Sequence, residues 1–555
     1  MPDSNAPAQA DNRSVSEPAP AQTALAALWQ GLGLGPEALA HAQLPGHHGV
    51  LASSFDVATA AQASLGAAAL AAAEVGLMRD GGQRQTVLVD RSHATLACTG
   101  RFALDGRVPT LWEKYSGLYA CGEALGQPGW VRIHANFAHH RDGALRLLGL
   151  PVGDRVAPEA VSAALRHWRA EDFEQAAADA GLVVAAARSF EQWDAHPQAL
   201  ALAGQPLVAV TPIAAVDGEP VAPPLPWPAR SQDARPLAGL RVLDLTRILA
   251  GPVAGRCLAA YGAEVMLVNG PHLPNIAAIA DTSRGKLSAQ LDLRTAESRA
   301  QLRGLAASAR VFLQGYRPGA LAGQGFSASA LARLRPGIVV ASISAYGDQG
   351  PWGDRRGFDS LVQTATGFNL AEAQALGADQ PPGAWAAEEV EAKRVGREPN
   401  LRPDLRGVLV GTPRKAGTKW DSSPPVAADL VLPPRLLALP MQILDFAAGQ
   451  LLAFGISTAL ARQAHQGGSW QVKVSLAGVG AWLRSLGRVD ASQRAPAAKP
   501  DFEPWLEDSV CGFGLNGAPA TLRAMRHAAQ FSATPARWAR PSMPPGHDAP
   551  AWPAV

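Results

Sequence analysis

The stretch GLRVLDLTRILAGPVAGRCLAAYGAEVMLV, residues 239–268, decides the fold. A β-branched and apolar run leads into Ala250-Gly251-Pro252, and a helical pattern and a second apolar run follow, which predicts a strand, a turn, a helix and a strand. A helix that begins directly after a strand leaves free backbone N–H groups and the positive end of its dipole at the turn. This turn is therefore a candidate seat for a phosphate or another anion.

Strand and helix patterns continue to alternate after this unit. Two further runs of β-branched and apolar residues follow, separated by helical segments, and a long helix and one more strand come later. This spacing indicates βαβ units and a parallel sheet. The sequence therefore predicts an α/β fold with an open parallel Rossmann-like sheet half. The segments are ARVFLQ (309–314), GIVVASIS (337–344), PMQILDFAAGQLLAFGISTALARQ (440–463) and WQVKVSL (470–476).

The composition limits the classes of protein that the chain can belong to. Its 555 residues, 47% of them hydrophobic, suffice for two or more domains with a substantial core. A net charge of +2 gives no field that would attract nucleic acid. The four cysteines have no CxxC spacing, which argues against a zinc site and indicates a reducing compartment. We therefore expect no metal and no nucleic-acid partner.

Neither an export signal nor a membrane anchor is expected. Residues 1–23 lack a basic start followed by an apolar run, and we interpret them as a disordered leader. The Ala-rich run at 61–78 is limited by Asp56 and Glu74, and we interpret it as a buried helix rather than a membrane span. The expected location is the cytoplasm.

Two parts of the chain resemble each other, which indicates an internal duplication. Each opens with an Asp at the start of an Ala-rich helix and has a Gly ten residues later. A Gly-Gly pair, a Gln and a Val-rich strand follow in both. The two parts are residues 55–90, with Asp56 and Gly66, and residues 444–476, with Asp445 and Gly455.

Segments of the second half resemble a known family, and they do so in order. Residues 236–268 are followed by SRGKLSAQLDLRT (283–295), by the long segment 311–367 and by LDFAAGQLLAFGISTAL (444–460). Together they closely resemble the family III CoA-transferases, the CaiB/BaiF superfamily that includes formyl-CoA transferase and carnitine-CoA transferase. The resemblance implies the fold of that family, in which a Rossmann-like half is joined to a smaller α+β domain.

The first half resembles the same family out of order. Residues 55–70 are similar to the Asp-bearing helix again, 112–150 to the family's small domain, and 168–198 to its C-terminal return segment. A partial or permuted copy thus precedes the sheet-building half. The predicted division is a leader (1–23), a partial copy (24–215), a Pro-rich linker (216–236), a Rossmann-like half (237–484) with an insertion at 380–433, and a Pro-rich C-terminal tail (485–555).

Asp445 is the candidate nucleophile that the resemblance implies. In this family a helix-borne carboxylate attacks the acyl-CoA thioester, and a mixed anhydride and then an aspartyl-CoA thioester form. From the residues alone Asp445 is interpreted as a helix N-cap. Asp359, in GFDSLVQ, matches a second acidic position of the family's active site and is also a candidate N-cap. Asp56 holds the place of Asp445 in the first copy, and we interpret it as a structural helix cap.

Coenzyme A, as the acyl-CoA substrate, is the ligand that the resemblance implies. Its expected contacts are the turn at the start of the first helix, an aromatic ring for the adenine and basic side chains for the phosphates, with Arg284 or Arg247 as alternatives. Three positions depart from the family's pattern: Leu249 stands in place of a Gln, and Gly270 and Gly323 in place of arginines. The predicted contacts are Ile248, Leu249, Ala250, Gly251, Lys286, Tyr316 and Arg317.

Two further motifs are interpreted as structural. The histidines of HANFAHH (134–140) lack the i, i+4 spacing of metal ligands, so we interpret them as surface or core residues. The Lys- and Arg-rich segment at 393–406 is interpreted as part of a solvated insertion.

The leading prediction is an enzyme that moves CoA between an acyl-CoA and a small carboxylic acid through Asp445. One alternative is another acyl-CoA enzyme, such as a racemase or lyase, on the same scaffold. Phe358 argues against the racemase, because racemases of this family place a His base there and phenylalanine cannot transfer a proton. The other alternative is a catalytically degenerate CoA-binding protein. Family members form interlinked dimers, so a homodimer and an intrachain pseudo-dimer are both open.

Overall fold

The computed structural model describes residues 20–46, 50–214, 221–229, 233–377, 435–494 and 499–554. The predicted insertion at 380–433 and residues 1–19 of the predicted leader lie outside these ranges, as do parts of the linker. The predicted leader ends too late, because the first helix begins at Pro20.

The described strands and helices alternate along most of the chain. The strands are β1 Ala42–Gln43, β2 Val87–Val89, β3 Phe102–Leu104, β4 Gly117–Cys121, β5 Gly129–Ile133, β6 Val184–Ala186, β7 Ala209–Pro212, β8 Arg241–Leu245, β9 Glu264–Asn269, β10 Lys286–Gln290, β11 Val311–Gln314, β12 Val339–Ser344, β13 Trp470–Ser475, β14 Leu506–Cys511, β15 Ala520–Met525 and β16 Ala529–Phe531. The helices are α1 Pro20–Gly31, α2 Val57–Asp80, α3 Arg91–Ala97, α4 Ala138–Leu147, α5 Pro158–Leu165, α6 Ala170–Asp179, α7 Phe190–Asp194, α8 Pro197–Leu202, α9 Ala250–Ala260, α10 Ile279–Thr282, α11 Ala296–Ala307, α12 Ala328–Leu334, α13 Asp359–Ala365, α14 Phe368–Leu376, α15 Ile443–Gln466 and α16 Leu476–Ser485.

A seven-stranded sheet forms the centre of the second half. Its order is β10-β9-β8-β11-β12-β13-β7, and every neighbouring pair is parallel except β13–β7. The six parallel strands follow the order of a Rossmann fold, in which the strand order reverses between the first and the fourth strand. The prediction of an α/β fold with an open, mainly parallel sheet is confirmed. Ligands of such sheets bind at the reversal point, here beyond the carboxyl ends of β8 and β11.

The antiparallel edge strand comes from the first half of the chain. Residues 209–212 of β7 pair with β13, so the N-terminal half adds a strand to the sheet that residues 241–475 build. The predicted smaller α+β domain is also present. Strands β4, β5 and β6 form an antiparallel sheet that packs with α4, α5 and α6 around its own buried core.

The C-terminal segment is not the weakly patterned tail that the sequence predicted. Strand β14 pairs with β15, β15 pairs with β3, and β16 pairs with β2, so residues 506–531 complete two sheets begun in the first half. The Pro-rich composition concealed these short strands, and the partners that place β15 and β16 in their sheets are far away in sequence.

Two long helices pack against each other in the core. Helices α2 and α15 each have 24 residues and are apolar enough to cross a bilayer by length and composition. In the structure 83% of the apolar window of α2 and all of that of α15 are buried, which is the environment of core helices. The Ser64 hydroxyl of α2 donates to Gln450 Oε1 of α15 over 2.6 Å.

The ends of these two helices have nearly the same backbone geometry. The N-cap residues Asp56 and Gln442 have φ, ψ of −80°, 63° and −82°, 59°. The C-cap residues Gly81 and Gly467 have 68°, −160° and 71°, −156°. In this register Thr59, not Asp56, corresponds to Asp445. The prediction that Asp56 holds the place of Asp445 is therefore wrong, whereas the duplication itself stays a prediction.

Candidate active site

The turn after β8 has an unusual backbone. Ile248 has φ +75°, a left-handed conformation that a β-branched residue rarely adopts, and Leu249 follows with φ −138° and ψ −67°. Helix α9 then begins at Ala250 without a side-chain cap. Such strain persists where the surrounding structure enforces it, and it is concentrated at functional sites. Four predicted CoA contacts, Ile248 to Gly251, thus lie at the reversal point of the sheet.

We expect Ile248→Gly to be more stable than Ile248→Ala by about 1 kcal/mol, because both remove the side chain but only glycine relieves the left-handed backbone. In an ordinary position alanine is the more stable of the two. Denaturant unfolding of both variants measures the difference. A more stable alanine variant would show that this turn is not left-handed in solution.

The turn lies against the helix that carries Asp445. A Cβ at Gly449 would be 2.4 Å from the carbonyl oxygen of Ala250 and 2.9 Å from Val253 Cβ, so α9 and α15 touch at backbone distance here. A Cβ at Gly251 would likewise be 2.4 Å from Thr246 Cβ. Both glycines are needed for this approach, which brings the start of α9 within one helical turn of Asp445.

Asp445 and Asp359 form a buried pair. Asp445 is the third residue of α15, and its backbone N–H donates to Asp359 Oδ2 over 2.9 Å. Asp359 Oδ1 accepts from Gln363 Nε2 over 2.5 Å. The two aspartates are 7% and 0% exposed, respectively. The N-cap of α13 is Phe358, so the Asp359 side chain accepts at the start of another helix, α15, instead of capping its own.

The pair shares its charge unequally. Burial raises the pKa of Asp359 to about 7, although the bonds from Asp445 N–H and Gln363 oppose the rise. Burial and then the charge of Asp359 raise the pKa of Asp445 well above its usual range. Two close carboxylates in a dry site cannot both ionise easily. The first negative charge is better stabilised on Asp359, which accepts the hydrogen bonds.

We expect these raised pKa values to make the protein less stable as pH rises from about 4 through 7. Below the ordinary pKa both states are protonated, whereas above it the unfolded chain releases protons that the folded pair retains. The Asp359→Asn variant lacks one of these retained protons. Its unfolding free energy should therefore decline with pH less steeply than that of the wild type, by up to about 1.4 kcal/mol per pH unit. Urea unfolding from pH 4 to 8 measures both slopes; equal slopes would contradict the prediction.

Phe358 carries a contact that the sequence did not predict. Its ring stacks on His134 with centroids 4.0 Å apart, and Phe137 and His140 lie 6.4 Å and 6.5 Å away. Small-domain residues therefore cover the start of α13, directly beside Asp359. The HANFAHH motif was interpreted as structural, and its spacing gave no signal for this contact, because the contact depends on how β5 and α4 pack on α13.

Lys286 does not have the position that a CoA-phosphate ligand needs. Its ammonium is fully buried, donates to Asp244 Oδ2 over 2.8 Å, and also donates to the Pro252 carbonyl over 2.9 Å. Arg284, the alternative, is buried and paired with Asp281 and Glu507. The prediction that either binds a phosphate is wrong, since both charges are already compensated inside the protein.

Tyr316 and Arg317 lie just beyond the carboxyl end of β11. Tyr316 is half-buried, and its burial raises the pKa of the phenol. Arg317 is exposed. Both are therefore on the same edge of the sheet as the Ile248 turn.

Asp56 has a structural environment. Its carboxylate accepts from Thr59 N–H over 2.9 Å and pairs with Arg91 over 2.6 Å. This agrees with its interpretation as a helix cap. Asp445, in contrast, has an acidic neighbour, and the two helix starts differ in chemistry although their backbones agree.

A cavity lined mainly by the C-terminal segment lies away from the aspartate pair. It has a volume of about 820 Å³ and is lined by residues of the C-terminal segment together with His93 and Arg284. Two of its arginines already have carboxylate partners, since Arg284 pairs with Glu507 and Arg540 with Glu264. We therefore place the candidate site at the sheet edge, where the turn, Tyr316 and the aspartate pair converge.

Comparisons with known proteins agree with the resemblance. Residues 237–388 match the model of CoA-transferase family III. An acyl-CoA transferase of Gibberella moniliformis is 31% identical over 259 residues, 45% of each chain. A succinate–glutarate CoA-transferase of Agrobacterium fabrum is 36% identical over 152 residues, 24% of this chain and 38% of that protein. The resemblance to the family is thus confirmed for the Rossmann-like segment.

The chain spans less than half the length of these two curated relatives. A crystal structure of a CaiB/BaiF family protein from Brucella suis is similar with 22% identity and a TM-score of 0.30, over 51% of this chain and 65% of that one.

Proposed function

We propose that this protein is an enzyme that transfers CoA between an acyl-CoA thioester and a carboxylic acid through an aspartyl-CoA intermediate on Asp445. One observation carries the proposal. A buried aspartate in the first turn of α15 lies beside the turn of a segment that matches family III CoA-transferases. Relatives named as CoA-transferases support the same reaction class.

The chemistry requires an ionised Asp445. Its carboxylate oxygen attacks the thioester carbon, CoA leaves as the thiolate, and a mixed anhydride forms. The thiolate then attacks the aspartyl carbonyl, the first acid leaves, and Asp445 carries CoA as a thioester. The acceptor carboxylate attacks that thioester, and the same two steps run in reverse to release the new acyl-CoA. No proton is consumed overall.

Asp359 is proposed as a positioning residue. It holds the start of α15 through the N–H of Asp445 and sets the pH at which Asp445 becomes a carboxylate. The dry surroundings suit an anhydride and a thioester, because both would be hydrolysed by water. Backbone N–H groups at the start of α9 are proposed to stabilise the developing oxyanion.

Coenzyme A is proposed to bind across the reversal point of the sheet. The start of α9 offers free N–H groups, Tyr316 offers an aromatic face, and Arg317 is free to meet a phosphate. Lys286 and Arg284 have no role in this binding. No metal is needed for acyl transfer of this kind.

We further propose that the first half acts within the same chain as a second subunit would. Strand β7 extends the sheet, α2 packs on α15, and the small domain covers Phe358 beside the aspartate pair. A monomer with one site is therefore expected, and light scattering coupled to gel filtration measures its mass. The cytoplasm is proposed as its location, because the four cysteines are buried free thiols.

The function is tested first by calorimetric titration with free CoA and then by exchange of labelled acetate into acetyl-CoA and of labelled succinate into succinyl-CoA. Binding at micromolar concentrations with exchange supports the transferase. Binding without exchange favours the degenerate CoA-binding protein, the alternative that the buried Lys286 and Arg284 support. An absence of CoA binding by folded protein would contradict both.

A further inference from the structure

Two arginines and two histidines surround the approach to Phe358, and no carboxylate among the described residues compensates the arginines. We call this group the basic cluster and define it as Arg247, Arg356, His139 and His140. Arg247 follows β8, Arg356 lies two residues before Phe358, and the histidines lie in α4 of the small domain. Residues far apart in sequence thus meet at one place, next to the proposed active site.

Ring contacts connect the cluster to the aspartate pair. The Arg247 guanidinium lies 5.8 Å from the centroid of Phe137, and Phe137 lies 5.6 Å from His140. His140 and Phe137 lie 6.5 Å and 6.4 Å from Phe358, the residue before Asp359. A continuous wall therefore leads from Arg247, at the reversal point of the sheet, to Asp359.

The cluster lacks a compensating negative charge. Arg356 and Arg247 lower the pKa of both histidines after burial has done so, and no carboxylate acts on any of the four in the part of the chain that the structure describes. Arg247 donates to the Pro274 carbonyl, which leaves its charge unneutralised. Positive charges gathered in a half-buried place repel one another and attract an anion.

His140 has unused hydrogen-bonding capacity. Its side chain is 4% exposed, and neither ring nitrogen has a partner among the described residues. Burial of an unpartnered imidazole is costly, and a buried polar group usually has a partner. One nitrogen of a neutral imidazole carries a hydrogen, so His140 can donate to an anionic oxygen. Arg356 is exposed and free to close over the same anion.

We infer that the basic cluster binds the distal carboxylate of the acyl group, so that the enzyme prefers dicarboxylic over monocarboxylic acids and their CoA thioesters. This inference rests on the proposed function, since the acyl group must reach Asp445. Arginine binds a carboxylate through two parallel hydrogen bonds, and the wall from Arg247 to Phe358 gives the acyl chain an apolar side. A CoA phosphate offers similar anionic oxygens, and the experiment separates the two.

The experiment compares ligands that differ only at the distal end. Succinyl-CoA and butyryl-CoA have the same chain length, and free CoA has the same phosphates. Their affinities are measured by calorimetry on Asp445→Asn, which keeps the shape of the side chain but cannot form the covalent intermediate. We expect succinyl-CoA to bind about 10- to 100-fold more tightly than butyryl-CoA.

Arg356→Gln, added to this background, should abolish that preference and leave the affinity for free CoA unchanged. Arg333→Gln is the matched control, since Arg333 is an exposed arginine outside the site and the preference should survive its replacement. Because Arg356 is exposed, its loss should not disturb folding. His140→Phe, which keeps the ring shape, should weaken the preference without changing free CoA binding.

Each other outcome overturns the inference in a recognisable way. Equal binding of the two thioesters, or a preference that survives Arg356→Gln, would show that the basic cluster does not bind the distal carboxylate. An equal loss of affinity for all three ligands in Arg356→Gln assigns the cluster to the CoA phosphates. Failure of free CoA to bind overturns the proposed function as well, whereas CoA binding without a preference overturns this inference alone.

Discussion

Asp445→Asn is expected to lower the rate of CoA transfer by about 10⁴-fold or more while the affinity for free CoA stays the same. The amide has the shape of the carboxylate but cannot form the anhydride, and no other described carboxylate occupies the first turn of α15 beside the α9 turn. Isotope exchange between an acid and its CoA thioester measures the rate, and trapping the wild-type intermediate with hydroxylamine locates the acylated residue.

Asp56→Asn is the matched control at the start of the companion helix. It loses part of the ion pair with Arg91, so its stability should fall, but exchange per folded molecule should stay near that of the wild type. Exchange that survives Asp445→Asn would remove this residue from the chemistry. Loss of exchange in a fully folded Asp56→Asn variant would assign the reacting carboxylate to the start of α2.

Lys286→Met is expected to destabilise the protein by about 3–5 kcal/mol, because it leaves the fully buried Asp244 without its partner. Asp244 also accepts from the Thr246 N–H and hydroxyl, at the base of the α9 turn. The Asp244–Lys286 pair therefore stabilises the base of the α9 turn. Urea unfolding measures the loss.

The double variant Asp244→Asn, Lys286→Met is the control for the buried pair. Asparagine keeps an acceptor for Thr246 and carries no charge, so much of the lost stability should return. A single variant with wild-type stability and weakened CoA binding would contradict the structural role of Lys286 and restore it as a phosphate ligand.

Local alternation explains why the second half could be predicted. Strand β8, the turn at Ala250 and strand β9 all lie within residues 239–269, a span of 31 residues. The apolar pattern of so short a stretch is enough to predict the unit. The position of Asp445 near a helix start followed from the same kind of local signal. Its pairing with Asp359 did not, since that distance is set by how α13 packs on α15.

The features that could not be predicted depend on contacts distant in sequence. The sequence shows that Lys286 is a basic residue near the predicted CoA site. Whether its side chain faces solvent or Asp244 is decided by the packing of β10 on α9. The predicted equivalence of Asp56 and Asp445 rested on the residue types near the helix starts. The glycine caps at the C-terminal ends of the two helices instead align Asp445 with Thr59, three residues after Asp56. The basic cluster joins three separate segments.

The pairing of the C-terminal strands with β2 and β3 has a consequence for the order of folding during synthesis. Thr86, beside β2, bonds to Ser532 across 446 residues, so its partner leaves the ribosome about 20 to 90 s later. Throughout that interval the edges of β2 and β3 are open to other chains. Chaperone occupancy in the cell should therefore be highest while the second half is being translated.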